Sequence, residues 1–372
     1  MKILKLTLFA LSLCFTAFCQ STKQVPNAPV QVRIPILRAS SNIADVRVNG
    51  ALRKGEWTID PRIKKDIYYL RRSKKSSSVE MITDIDSISF QLQPGQQFDF
   101  IIVLNGKDSC FSSFQFLNSY KKNCTDCVIT KDTIPFTLGR DNRIYLEGKI
   151  NNSETLKILY DNGAEGTGIV KTAVGSKVKI QFDWVGISSG TGGAIETQTS
   201  SKNRVEIGGL IWDDEFISTS NKKYGIGADV VVGYSIFSDK AVEIDYEKKI
   251  MIIHDSLQST IGYKKAKAKF IDFFPYLETA FMVNGKSFQE DMFVDIGASG
   301  TVFLNANLSE KWQLHNTLTK IDESETSGIG NEKIKNETVL FPLISIGETN
   351  FNDIPLYWNS LLAKRAVLSG TS

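Results

Sequence analysis

Two aspartates in this chain stand in the same setting. Asp161-Asn-Gly-Ala164 follows the apolar run Leu156 to Tyr160, and Asp295-Ile-Gly-Ala298 follows Met292 to Val294. A buried strand rarely delivers an unpaired carboxylate, because desolvating one is costly. The glycine of each motif, Gly163 or Gly297, permits a tight turn that aims backbone N–H groups at the carboxylate. Ala164 and Ala298 are small enough to let another stretch of chain pack close. Two such turns related by a pseudo-two-fold axis would bring the carboxylates together. Like charges that close hold one shared proton. One carboxyl then acts as base on a water and the other as acid toward a carbonyl oxygen. The chemistry expected is hydrolysis that uses no metal, no cofactor and no covalent intermediate.

The elements around the two aspartates also repeat. The first copy has a strand at Ile144 to Ile150, a turn at Asn151-Asn152 and a strand ending at Asp161. A Gly-rich stretch, Gly190-Thr-Gly-Gly193, and an apolar strand, Val231-Val232-Gly233, follow. The second copy has a strand at Leu277 to Val283, a turn at Asn284-Gly285 and a strand ending at Asp295. Gly328-Ile-Gly330 and Leu368-Ser369-Gly370 follow. Asp161 to Gly190 spans 29 residues and Asp295 to Gly328 spans 33; the distances to Gly233 and Gly370 are 72 and 75. Matching order and spacing argue for duplication rather than for two unrelated Asn-Gly-type turns.

On these motifs residues 135–372 resemble the aspartic-protease superfamily in its two-lobed, pepsin-like arrangement. The Asp-x-Gly-Ala form and the short glycine stretches are more similar to retropepsin-like lobes. A carboxyl pair that shares one proton is the known device of this class. The resemblance implies an all-β fold with two β-barrel lobes, 135–256 and 257–372, and Asp161 and Asp295 as the catalytic pair. Asn162, Gly163, Ala164, Ile296, Gly297 and Ala298 would form the active-site loops. Gly190, Gly192, Gly193, Gly328 and Gly330 read either as plain hairpin tips or as flaps that close over an extended peptide. The substrate implied is a peptide or an unfolded protein.

Three departures from the family pattern favour an alternative, a peptide-binding pseudoprotease. The hydroxyl residue usual after each catalytic Asp is replaced by Asn162 and Ile296; Asn162 can still supply hydrogen bonds, whereas the Ile296 side chain cannot. No Tyr lies near the first glycine stretch. After Gly370 only Thr371 and Ser372 remain, so the second lobe reads as truncated.

Ahead of the repeats, residues 41–118 read as a small all-β sandwich. Ile88, Phe90 and Leu92 alternate with polar residues, Pro94-Gly95 makes a turn, and Phe98 to Leu104 runs into Asn105-Gly106, a hairpin signal. Trp57, Tyr68 and Tyr69 are candidate core residues. The stretches Gly55-Glu-Trp-Thr-Ile-Asp60 and Phe98 to Asp108 resemble an accessory domain of exported bacterial proteins. A glycan or surface partner is an open reading for it. Residues 20–40 and 119–134 read as linkers.

Lys2 and Lys5, the apolar Leu6 to Phe18 and the Ala17-Phe18-Cys19 end have the layout of a secretory signal peptide over 1–19. Cleavage is preferred to lipidation of Cys19, because Phe18 is large. Export to the periplasm or the exterior is the expectation, with no membrane span after signal removal. Loss of the leader lowers the formal charge from +3 to +1, which gives no electrostatic case for nucleic acid. Arg71, Arg72, Lys74 and Lys75 form a short basic run that reads as a solvated loop. Cys110, Cys124 and Cys127 suggest one disulfide and one spare thiol, with the pairing open. Asp84 and Asp86 read as turn residues. His254 and His315 have no partners that would make a metal or nucleophilic site.

Overall fold

The computed structural model describes residues 34–63, 65–122, 131–257, 259–271, 274–330, 332–359 and 367–368. The expected leader over residues 1–19, the Cys124–Cys127 stretch and Gly370 lie outside the described residues. The chain is all-β, with several sheets and, among the described residues, only short helical segments such as Ala306–Lys311. No helix among the described residues is long and apolar enough to cross a membrane.

The N-terminal unit has two four-stranded sheets. One runs in the order Ile36–Ala39, Gln97–Leu104, Asp108–Phe116, Asp66–Leu70; the other runs Ala51–Thr58, Ile43–Val48, Ser77–Ile82, Ser87–Leu92. Both bury side chains in one cluster that includes Val46, Trp57, Met81, Phe100 and Phe114. Burying that much aromatic area supplies the main drive for the layers to pack. Asn105 and Gly106 both take positive φ (54° and 67°), as a two-residue hairpin turn requires. Asp84 accepts from the Ser40 and Ser41 amides and Asp86 from Arg38, so both hold turns. Cys110 is buried as a free thiol.

The sequence-based boundaries need correction here. Ile36–Ala39 pairs in parallel with Gln97–Leu104, so the unit begins inside the expected 20–40 linker. Within the expected 119–134 linker, Lys121–Lys122 pairs with Leu210–Ser220, and Lys131–Pro135 pairs with Ile250–His254. Tyr69 leaves the core of its own unit and packs on Phe216 of the next, ring centroids 5.3 Å apart.

The two repeats build matching sheets. The first is ordered Thr137–Leu138, Ile144–Ile150, Leu156–Tyr160, Val230–Val232, Thr167–Val170, Leu210–Ser220, Gly193–Ile207, Trp184–Gly190. The second is ordered Ala268–Ile271, Phe274–Val283, Lys286–Val294, Val367–Leu368, Val302–Leu304, Thr349–Asn359, Ile334–Ile346, Lys320–Thr326. In each, a late strand inserts between two early ones, parallel to the strand that ends at the Asp and antiparallel to the next. The turns are as the sequence predicts: Asn151, Asn152, Asn284 and Gly285 all have positive φ. The first repeat alone carries an extra three-stranded sheet among the described residues, Lys131–Pro135, Ile250–His254, Ala241–Asp245.

Candidate functional site

The inserted strand explains why an aspartate leaves each buried strand at the same place. In the first repeat the Asp161 amide donates to the Val232 carbonyl (3.0 Å), and past Gly233 the chain bonds the loop's far side. Gly233 donates to Gly166, Tyr234 to Ala164 and Ser235 to Glu165, all at 3.0–3.1 Å. The loop then turns back on its own carboxylate: Gly163 N–H reaches Asp161 Oδ1 at 2.8 Å. In the second repeat Gly297 and Ala298 N–H groups reach Asp295 Oδ1 at 2.8 and 3.1 Å.

The two loops face each other, and their carboxyl groups share a hydrogen bond. A side chain at Gly163 would stand 2.6 Å from the Asp295 carboxyl carbon, and one at Gly297 2.1 Å from that of Asp161. Both contacts are shorter than atoms tolerate, so each glycine clears room for the opposite aspartate. Ala164 and Ala298 close the turns, their amides bonding the Asp161 carbonyl (3.1 Å) and Asp295 respectively.

Burial pushes the Asp161 carboxyl above the ordinary carboxylate range, while the Asp295 hydrogen bond, the Gly163 amide and the Arg143 charge pull it back. Asp295 lies well above that range, first through burial, then through the charge of Asp161 and the bond to it; the Gly297 and Ala298 amides offset part. Close packing crowds both carboxyls, although neither aspartate is fully buried as a whole residue. Burial and mutual proximity therefore make the pair, as a unit, hold a proton more tightly than a free carboxyl does.

Asn162 does supply hydrogen bonds at the position where the family pattern has a hydroxyl residue. Asn162 reaches the facing loop at two points: its Nδ2 donates to the Val294 carbonyl (2.9 Å), and its Oδ1 accepts from the Ile296 amide (2.7 Å). Ile296 contributes that backbone N–H, while its side chain, 7% exposed, joins the hydrophobic core of the first repeat. One side chain thus satisfies a donor and an acceptor of the facing loop, and the Ile296 side chain fills the core of the first repeat.

Arg143 adds a third cross-link, donating from Nε to the Gly297 carbonyl and from Nη1 to Asp141 (3.3 Å). Asp141 also accepts from the Tyr145 hydroxyl (2.6 Å), which in turn accepts from the Ile226 amide (2.6 Å). This chain of bonds ties the 221–228 loop to the Asp295 loop. Tyr224 in that loop is close enough to Asp161 to feel its charge; its phenol is pushed up to about 12, chiefly by burial.

The glycine stretches sit at the ends of two long hairpins and meet tip to tip. Gly330 N–H donates to the Thr191 carbonyl (3.0 Å) and Glu332 N–H to that of Gly192 (3.2 Å). Gly190 lies against Ile329, Gly328 against Thr191, and Gly193 completes the first turn opposite Gly190. A side chain on Gly330 would stand 1.8 Å from the Gly192 carbonyl oxygen, so the approach requires a bare backbone. Lys222 fastens the contact by donating from Nζ to the carbonyls of Gly328 (3.3 Å) and Gly330.

The aspartates and glycines of both Asp-x-Gly-Ala motifs and both glycine stretches are thus gathered at the repeat interface. Sequence reasoning missed Arg143, Lys222, Tyr224 and Arg72. The basic run read as a solvated loop is the clearest error: the Arg72 side chain is 1% exposed and ion-paired with Glu215. A signal for it existed in Glu215 itself. It lies two residues before the buried Ile217 on one strand, hence on the inward face, where a carboxylate needs a cation.

Among the described residues, no group of three or more His, Cys, Asp or Glu side chains is arranged to hold a metal ion. No protein-family profile matches the chain, and no curated protein matches it.

Proposed function

We propose that the chain is an aspartic-type endopeptidase built as two lobes of that superfamily's kind. The observation that carries this reading is the meeting of two Asp-x-Gly-Ala loops, the glycine of each lying against the carboxyl of the other. A water held between them would lose a proton to Asp161 as its oxygen attacks the peptide carbonyl carbon. Asp295 would give its proton to the carbonyl oxygen. Collapse of the resulting gem-diol would break the C–N bond and pass a proton to the leaving amine. The two hairpins would be flaps; they must part to admit an extended chain and close to exclude bulk water. The signal-peptide layout of the sequence over residues 1–19 supports action outside the cytoplasm.

The test is cleavage of an unfolded protein across a pH series from about 3 to 8, the span in which a raised carboxyl pair holds one proton, with Asp295→Asn as control. Cleavage that disappears in the variant supports the reading. Peptide binding without cleavage, retained in Asp161→Asn, would replace it with a pseudoprotease.

A further inference from the structure

The N-terminal unit touches the site through two adjacent arginines at the end of its strand Asp66–Leu70. Arg72 crosses into the first repeat. Its Nε donates to the Asn118 carbonyl (2.8 Å) in its own unit, its Nη1 to the Ser235 carbonyl (3.0 Å), and its Nη2 pairs with Glu215. Arg72 and Glu215 side chains are 1% and 3% exposed. The other Glu215 oxygen accepts from the Thr167 hydroxyl at 3.1 Å. Arg71 pairs with Glu165 at 2.6 Å and lies over the Tyr234 ring, 5.2 Å from its centroid.

These contacts converge on one loop. Glu165 and Thr167 are its descending side, four and six residues past Asp161. Tyr234 and Ser235 are the segment whose amides bond the Ala164 and Glu165 carbonyls. The two arginines therefore grip both sides of the Asp161 loop. The Asp295 loop is finished differently: Thr301, the counterpart of Thr167, donates to the Pro355 carbonyl. A backbone carbonyl takes the place of the carboxylate there, so no cation is called for. A buried carboxylate without a cation is strongly unfavourable, and the cation that neutralises Glu215 is supplied by the N-terminal unit.

We propose that Arg71 and Arg72 are positioning residues for the Asp161 loop, which makes the N-terminal unit a fixed third part of the site rather than a separable binding module. The kinetic side of this proposal rests on the endopeptidase reading; the loop-ordering side does not.

The experiment uses the full chain and amide hydrogen exchange. Arg72→Met alone strands Glu215 and risks unfolding, so the informative variants are the charge-free double variant Arg72→Met/Glu215→Met and the milder Arg71→Gln. Exchange at residues 161–168 and 233–236 is expected to rise at least about tenfold in the double variant and about two- to threefold in Arg71→Gln. Residues 295–302 and the sheets of the N-terminal unit should keep their parent rates. Where the parent cleaves peptide, kcat should fall with KM little changed, the signature of an interaction needed at the transition state. Unchanged exchange at 161–168 in both variants, or a uniform rise along the whole chain, would overturn the proposal. A parent that cleaves nothing would defeat the endopeptidase reading and leave the exchange result to decide this one.

Discussion

The two repeats share a topology but divide the work at their interface unequally. Apart from the two aspartates, the first repeat supplies the polar side chains described as crossing it: Asn162 to Val294 and Ile296, Arg143 to Gly297, and Lys222 to Gly328 and Gly330. The second answers with backbone carbonyls, the amides of Ile296, Gly330 and Glu332, and apolar side chains. Ile296 stands where Asn162 does. Phe274 stands where Arg143 does, two residues before the tyrosine of the matching strand, and it packs edge-on against Tyr234 (5.0 Å) and Phe293 (5.2 Å). A pseudo-symmetric site therefore need not be braced symmetrically. One polar half can satisfy both loops, and the apolar half then gains burial. Such an arrangement also breaks the equivalence of the carboxyls, because the Arg143 charge acts on Asp161.

Removing the polar brace should have the largest effect. Asn162→Ala leaves the Val294 carbonyl and the Ile296 amide unpaired, a loss of about 1–3 kcal/mol for each buried group. Displacement of the loops should lower kcat roughly 10²-fold. Denaturant unfolding and steady-state kinetics check both; a variant that matches the parent would show that Asn162 is no brace. Next comes the charge. Arg143→Met removes a cation that lowers Asp161, so the acidic limb of the pH profile should move to higher pH, with about a tenfold loss of rate. Phe274→Leu, its counterpart, should leave that limb in place. Equal shifts in the two variants would sink the claim of electrostatic asymmetry.

The smallest effect expected is on stability. A carboxyl whose folded pKa is raised binds its proton more tightly when folded. Stability is then full below the unfolded value and falls as pH rises through the folded one. Asp295→Asn mimics the protonated form, so it should melt above the parent at about pH 7, and the gap should close toward about pH 3. Melting curves at the two pH values check this. A gap of the same size at both would mean that Asp295 carries no raised pKa, and the inequality between the halves would lose its support.

Much of the fold was legible before any coordinates. The strand ending at each aspartate, the positive-φ turns at Asn105-Gly106, Asn151-Asn152 and Asn284-Gly285, and the alternation from Ile88 to Leu92 are local matters. They follow from side-chain period and backbone sterics within a few residues. The unit boundaries were less legible, because Ile36–Ala39 and Lys131–Pro135 are short strands whose partners lie more than 60 and 110 residues away. The basic run at Arg71 and Arg72 was misread for a related reason: a charged residue looks solvated until its buried partner is known.

Neighbouring residues alone establish that the chain says one thing twice, and that each statement ends in an aspartate on a glycine turn. Strand periodicity and turn chemistry act over a few positions, so they can be read without a fold. Long-range packing was needed to learn that Asn162 serves both loops, that Ile296 plugs the opposite core, that the glycine tips meet under Lys222, and that Arg72 reaches Glu215. The polar pairs among these lie between 106 and 143 residues apart. What selects them is the packing geometry of three units, since a buried donor, acceptor or charge takes whichever partner the fold brings within reach.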